Sequence, residues 1–308
     1  MNPSPEHEMN PEVEHFTPLI RLEFFRHDEK EKATGGGARA GDEAVRLTQK
    51  GREHSTEAGK TRDPHPEVGL AYGSPRERSA EAALRQLLAN EEIAPEDTLE
   101  DIREKVGKHV KVGKKDIVSE NLNFNWNGSE EFNKTAYARV LGPKDSLVFL
   151  REESDDLVKK VGDMESTSYS RAAGNVAELV QKYLDILPRW EQIATEKPEL
   201  YAQFKNEMQR FLGSHQDVLE PFLMKVIEKM DGPEGLEKFL KSLPDKNGLG
   251  YSQGFSVNIS SGNNGDPAIK LTYNGEEWEL KPELIEEIIN ERDALNQDIA
   301  EKKRKETI

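Results

Sequence analysis

The chain has 308 residues, with 43 Lys and Arg against 59 Asp and Glu, a formal net charge of −16. That excess of acid argues against nucleic acid or an anionic membrane as partner, since both need clustered cations, and it makes any phosphate site a local island of Arg and His. No cysteine is present, which removes disulfides, thiolate catalysis and thiolate zinc sites.

Residues 1–17 are acidic and Pro-rich, with neither a basic nor an apolar signal region, and are expected to form a disordered arm. No stretch has the apolar length needed to cross a bilayer, so the expectation is a soluble cytoplasmic protein. A first strand is predicted from Leu19 to Phe25 and ends on Arg26-His27. The loop from Asp28 to Gly41 carries Gly35-Gly36-Gly37 but lacks the Gly-Lys-Ser/Thr ending of a P-loop, so its glycines count only as flexibility. Leu47-Thr48-Gln49-Lys50-Gly51 opens a helix running to about Gly59, Val68 to Tyr72 reads as a second strand, and Pro75 to Ala89 as a second helix.

Residues 91–117 are charged and carry two or three short elements, and Ser119 to Gly128 is an Asn-rich loop. Helical patterns follow at Ala136–Ala138, Ser154–Lys160 and Ser168–Thr195; in the last, Val176, Leu179, Val180, Tyr183, Leu184 and Leu187 fall at helical spacing. A short helix over Glu199–Lys205 precedes a strand from Met208 to Gly213, which leads into Ser214-His215 and a helix from Val218 to Met230. Beyond residue 245, Gly254–Ile259 and Ala268–Tyr273 alternate with period two around a turn cluster and predict a hairpin, with Trp278–Leu280 as a third strand. Pro282 opens a last helix, acidic early and basic late, as the helix dipole favours. Strand–helix alternation with candidate groups at strand ends predicts an α/β three-layer sandwich around a mostly parallel sheet flanked by helices. The expected organisation is a domain over residues 18–244, with a β-hairpin and C-terminal helix over 245–308 packed on or beside it.

An Arg-His pair at the C-terminal end of a strand sets a cation beside a nucleophilic imidazole, which suits binding a phosphoryl group and attacking it. Three further segments join Phe25-Arg26-His27-Asp28: Leu47-Thr48-Gln49-Lys50-Gly51, Ser74-Pro75-Arg76-Glu77-Arg78-Ser79-Ala80-Glu81-Ala82-Ala83, and Gly213-Ser214-His215-Gln216-Asp217. In that order, over about residues 19–230, they resemble the histidine phosphatase superfamily, also called phosphoglycerate mutase-like. That family has Arg-His-Gly near the first strand, Leu-Thr-x-x-Gly, then Ser-x-x-x-Arg-x-x-x-Thr-Ala at a helix start, and a late Ser/Thr-His after a strand.

The resemblance implies the phosphoglycerate mutase-like fold, with His27 as nucleophile and Arg26, Arg78 and His215 as the phosphate pocket. The Ser-x-x-x-Arg spacing selects Arg78 and leaves Arg76 at the surface or rim. The family often draws its general acid from a Glu between the second Arg and the second His. Glu120, in Glu120-Asn121-Leu122-Asn123-Phe124-Asn125-Trp126-Asn127-Gly128, fits that spacing, with Glu130, Glu152 and Asp217 as alternatives. The chemistry supports these roles independently: two guanidiniums and a second imidazole neutralise a phosphomonoester dianion and stabilise charge on the equatorial oxygens.

Two departures stand out. Asp28 replaces the usual Gly, and is expected either to point outward or to select a cationic or non-phosphate-rich substrate; the segment past residue 245 has no counterpart in the minimal pattern. The implied activity is metal-independent hydrolysis of a phosphomonoester through a phosphohistidine, the substrate being a phosphorylated small molecule or phosphopeptide, with no cofactor. Mutase-type phosphoryl transfer and a non-catalytic phospholigand-binding scaffold are the alternatives. Leu284, Ile285, Ile288, Ile289, Leu295 and Ile299 on the last helix offer either intrachain packing or a homodimer seam.

Overall fold

The structure, a computed structural model, describes residues 16–32, 42–91, 93–109, 116–141, 146–244, 248–262 and 265–306. The expected arm over 1–15 and the triple glycine at 35–37 lie outside them. Seven strands form one sheet: β1 (Leu19–Arg26), β2 (Gly69–Gly73), β3 (Asp116–Val118), β4 (Glu207–Ser214), β5 (Gly254–Ser261), β6 (Pro267–Tyr273) and β7 (Glu276–Leu280), in the order β3-β2-β4-β1-β5-β6-β7. Strands β3, β2, β4 and β1 are mutually parallel, and β5, β6 and β7 continue the sheet antiparallel.

Between the strands run helices α1 (Gln49–Lys60), α2 (Glu77–Leu87), α3 (Leu99–His109), α4 (Glu130–Leu141), α5 (Ser146–Phe149), α6 (Asp155–Val161), α7 (Tyr169–Glu196), α8 (Pro198–Tyr201), α9 (Gln216–Ser242) and α10 (Pro282–Glu306). The sheet divides two cores, as period-two alternation requires of a sheet covered on both faces. Ile20, Leu22 and Phe24 of β1 face the larger core with α7 and α9. Phe25 points the other way, to a smaller core with Ala71, Leu84, Leu87 and Phe211. The fold is therefore the expected three-layer α/β sandwich around a parallel core of four strands.

Local chemistry accounts for the element ends. Thr48 caps α1, its Oγ1 accepting from the Gly51 N–H at 3.0 Å. Pro282 stands first in α10, where a missing N–H costs nothing. Helix α9 runs twelve residues past the expected Met230 and bends at Gly232, whose φ of 72° breaks the helical path.

The C-terminal segment is joined to the rest more closely than its sequence indicates. Strand β5 pairs along β1 from Ile20 to Phe25, so the expected hairpin completes the sheet beside the strand that ends on His27. On α10, Ile285, Ile288, Leu295 and Ile299 are buried in the larger core of the same chain, against α7. Leu284 and Ile289 beside them are partly buried against the same core. No helix among the described residues is long and apolar enough to cross a membrane.

Candidate active site

The parallel strands β1, β2 and β4 end together, and their C-terminal ends bear Arg26-His27, Ser74 and His215. In parallel sheets such ends are where ligands bind. Glycine brings the next element in: a Cβ on Gly213 would lie 2.2 Å from the Ser79 carbonyl oxygen, and one on Gly73 2.5 Å from the Ala80 Cα. The first turn of α2 therefore sits directly on the strand ends and delivers Arg78 into the site. Gly213→Ala is expected to destabilise the fold by about 1–3 kcal/mol or more, because a backbone oxygen must give way. It should also depress activity by displacing Arg78; an unchanged denaturant midpoint would contradict the close approach.

His27 is buried, 8% exposed. Its Nδ1–H donates to the Asp28 carbonyl oxygen at 2.7 Å, which leaves Nε2 as the unprotonated nitrogen. Arg78 Nε donates to that nitrogen at 3.1 Å. Burial, then the Arg78 charge, hold the His27 pKa well below the ordinary imidazole value, against the pull of the Asp28 bond. His27 is thus a neutral imidazole with its basic nitrogen turned to the guanidinium.

The His215 ring lies 5.0 Å from that of His27, edge to face. His215 Nε2 is hydrogen-bonded to Ser74 Oγ at 2.8 Å, while Nδ1 is buried with no partner among the described residues. Burial, His27 and Arg78 depress its pKa as well. Behind it, Ser79 Oγ accepts from the Ser74 N–H at 2.9 Å and donates to the Arg76 carbonyl, so the Ser-x-x-x-Arg motif also builds the support for His215.

Arg26 Nη1 donates to the Leu249 carbonyl at 2.6 Å, and its guanidinium lies over the Tyr251 ring at 4.7 Å. The Leu249 N–H donates in turn to buried Glu220 Oε1 at 2.6 Å. Burial raises the Glu220 pKa well above the usual carboxylate value. Asp217, half-buried in the first turn of α9, is pushed up to about 6 by burial, against the Arg26 charge.

The Asp28 carboxylate is held by two groups that the sequence did not single out. The side chain is 1% exposed; Oδ1 accepts from His54 Nδ1 and Oδ2 from Ser252 Oγ, each at 2.5 Å. It ties α1 and the loop before β5 to the end of β1. Glu120 lies in a short 3₁₀ turn, Glu120–Leu122; it is exposed and accepts from Asn123 Nδ2 at 3.1 Å.

Arg76, read from spacing as a rim residue, belongs to the cluster. It is anchored through Nε to Asn123 Oδ1 and through Nη2 to the Phe124 carbonyl, both at 3.2 Å, and lies 4.1 Å over the Phe124 ring. Its Nη1 pairs with Asp42, as do Lys30 and Arg78. Sequence reasoning missed Asp42 and Lys30 altogether. Among the described residues no group of three or more His, Asp or Glu is placed to hold a metal ion.

No family model and no curated protein matches the chain. Among solved structures it is similar to a mycobacterial glucosyl-3-phosphoglycerate phosphatase, at 14% identity and a TM-score of 0.41, covering 84% of this chain and 100% of that one. It is similar also to a phosphoglycerate mutase from Bacillus anthracis, at 15% identity and a TM-score of 0.36, covering 88% of this chain and 97% of that one. A functional reading has to rest on the site itself.

Proposed function

We propose that the protein is a histidine phosphatase. The observation that carries this is His27: a buried neutral imidazole whose Nδ1–H is fixed on the Asp28 carbonyl and whose Nε2 meets the Arg78 guanidinium. A phosphoryl group entering between His27, His215, Arg26 and Arg78 would displace the Arg78 Nε–H from the His27 Nε2 lone pair, which then faces phosphorus, and find donors for its oxygens around it. That is the demand of a transition state whose charge lies on three equatorial oxygens. In the first step the Nε2 lone pair forms the N–P bond as the P–O ester bond breaks, and the leaving oxygen takes a proton. In the second, water attacks phosphorus, the N–P bond breaks, and the group that gave the proton takes one from the water. No metal is needed for either step. The order of the four motifs along the chain supports the same reading through the resemblance to the histidine phosphatase superfamily.

For the proton we favour Asp217 over Glu120. A general acid must be protonated at working pH and near the leaving group. Asp217 sits two residues past His215 with its pKa raised to about 6, within the field of Arg26. Glu120 is exposed and, among the described residues, is linked to the cluster through Asn123. The pH profile follows with a definite sign. His27 must be unprotonated, and its pKa is lowered, so activity should persist as pH falls well below 6.5. Asp217 must be protonated, so kcat/KM for an alkyl phosphate should decline as pH rises through about 6. Asp217→Asn should cost about 10²-fold or more on an alkyl phosphate and much less on an aryl phosphate, whose leaving group needs no proton. The reverse pattern, with Glu120→Gln carrying the loss, would return the role to Glu120.

Hydrolysis by this route leaves a covalent mark. Rapid acid-free quenching with a labelled substrate should trap phosphate on His27; a protein that binds phosphate but never becomes labelled would be a scaffold. Recovery of inorganic phosphate, rather than an isomerised phosphoester, separates hydrolysis from mutase chemistry.

A further inference from the structure

The Arg26 guanidinium is held by groups that the mechanism leaves without a role. Its Nη1–H donates to the Leu249 carbonyl at 2.6 Å, so Nε and Nη2 are the donors left for a phosphoryl group. The loop that supplies this carbonyl grips Arg26 at three more points. The Arg26 N–H donates to the Gln253 carbonyl at 2.9 Å, the Ser252 N–H donates to the Arg26 carbonyl at 3.1 Å, and the Tyr251 ring lies against the guanidinium. A long side chain that serves an anion needs such anchoring, because ordering it only on binding would cost part of the affinity it provides. The anchoring here comes from the segment past residue 245.

The loop is held in turn by Glu220, in the second turn of α9. Glu220 is fully buried, and its Oε1 accepts from the Leu249 N–H at 2.6 Å. The Leu249 main chain is thus bonded to Glu220 through its N–H and to Arg26 through its carbonyl. The approach is close: a Cβ on Gly248 would lie 2.4 Å from Glu220 Oε1, and Gly248 has a φ of 115°, which favours glycine. Glu220 Oε2 is buried with no partner among the described residues. A buried carboxyl with one oxygen unsatisfied costs stability beside an apolar side chain of similar size. Packing therefore does not explain an acid at this position, whereas the bond to the loop does. Burial favours the neutral acid, whose shape and charge a glutamine copies.

We infer that Glu220 is a positioning residue for the phosphoryl pocket, fixing the Arg26 guanidinium at the end of β1 through the Leu249 main chain. The inference rests on the phosphatase reading, which gives Arg26 a phosphoryl group to bind. Glu220 touches no reacting atom. Its effect passes through Arg26, so the two residues share one energetic contribution where independent sites would add two.

Inorganic phosphate is the probe, its dissociation constant measured calorimetrically on the full chain. Arg26→Met should weaken phosphate binding about tenfold or more, the loss of a charge-assisted hydrogen bond. Glu220→Leu should reproduce most of that loss, and the double variant should bind as Arg26→Met does, to within about twofold. Combined with Arg78→Met, whose partners are His27 and Asp42, the effect of Glu220→Leu should instead add. Glu220→Gln, which keeps the acceptor for the Leu249 N–H, should restore the affinity. Gly248→Ala drives a methyl group against Glu220 Oε1 and should copy Glu220→Leu, so it carries the test if Glu220→Leu does not fold. Wild-type affinity in folded Glu220→Leu or Gly248→Ala, or a loss that adds fully to that of Arg26→Met, would overturn the inference and leave Glu220 a structural residue. A wild type that binds no phosphate would overturn it as well. The phosphatase reading fails separately: the coupling of Glu220 to Arg26 can hold while no phosphohistidine forms, and phosphohistidine can form while Glu220→Leu binds phosphate as the wild type does.

Discussion

His27→Ala is expected to abolish hydrolysis of an aryl phosphate measured in EDTA, lowering turnover by at least about 10³-fold, the usual cost of removing a covalent nucleophile. The size follows from what remains. On the proposed mechanism, a pocket without the imidazole would keep Arg26, Arg78 and His215 to bind and polarise phosphate, but a water would have to attack in place of a fixed lone pair. His27→Asn, which keeps a polar side chain in the buried space, controls for collapse and should be equally inactive with an unchanged melting temperature. The acid-labile label seen on the wild type should be absent from both variants. Activity within tenfold of wild type in a folded variant would remove His27 from the mechanism and, with it, the phosphatase reading.

What the sequence made legible was local. The end of β1, the start of α2 and the end of β4 each announced a reactive residue by an apolar run and a turn. Their order along the chain singled out His27, Arg78 and His215, whose side chains lie together at the strand ends. The groups that escaped notice are those whose partners are far away in sequence. Asp28 looked like an extra carboxylate beside the phosphate; its partner His54 lies 26 residues on and its partner Ser252 224 residues on, and nothing near Asp28 reveals that they hold it. Arg76 is two residues from Arg78 and was set aside by spacing alone. As the residue that caps α2 it has extended backbone angles, and Asn123 and Phe124, from a stretch without periodic pattern, draw its side chain into the cluster. The hairpin past residue 245 was plain from its alternation. Its pairing with β1 was not, because alternation sets which face a residue takes and not which strand it lies beside.

Arg78 carries the second large effect, and the sign of one shift separates its catalytic role from a structural one. Replacement by methionine should lower kcat/KM by about 10²–10³-fold, the scale for a donor aimed at transition-state charge. Lysine should do little better, because one ammonium cannot serve the His27 side and the Asp42 side together as the fork of Arg78 does. Loss of packing could also reduce activity, since Arg78 is 1% exposed. The His27 pKa distinguishes the two causes. The Arg78 charge is, after burial, the largest influence holding that pKa down. Removing the charge must raise it, so the acid limb of the pH–rate profile should move to higher pH in Arg78→Met and much less in Arg78→Lys. Nuclear magnetic resonance titration of the His27 ring should follow the same order. A loss of activity with the acid limb fixed in both variants would mean that Arg78 supports the pocket by packing alone, and that some other group keeps the nucleophile neutral.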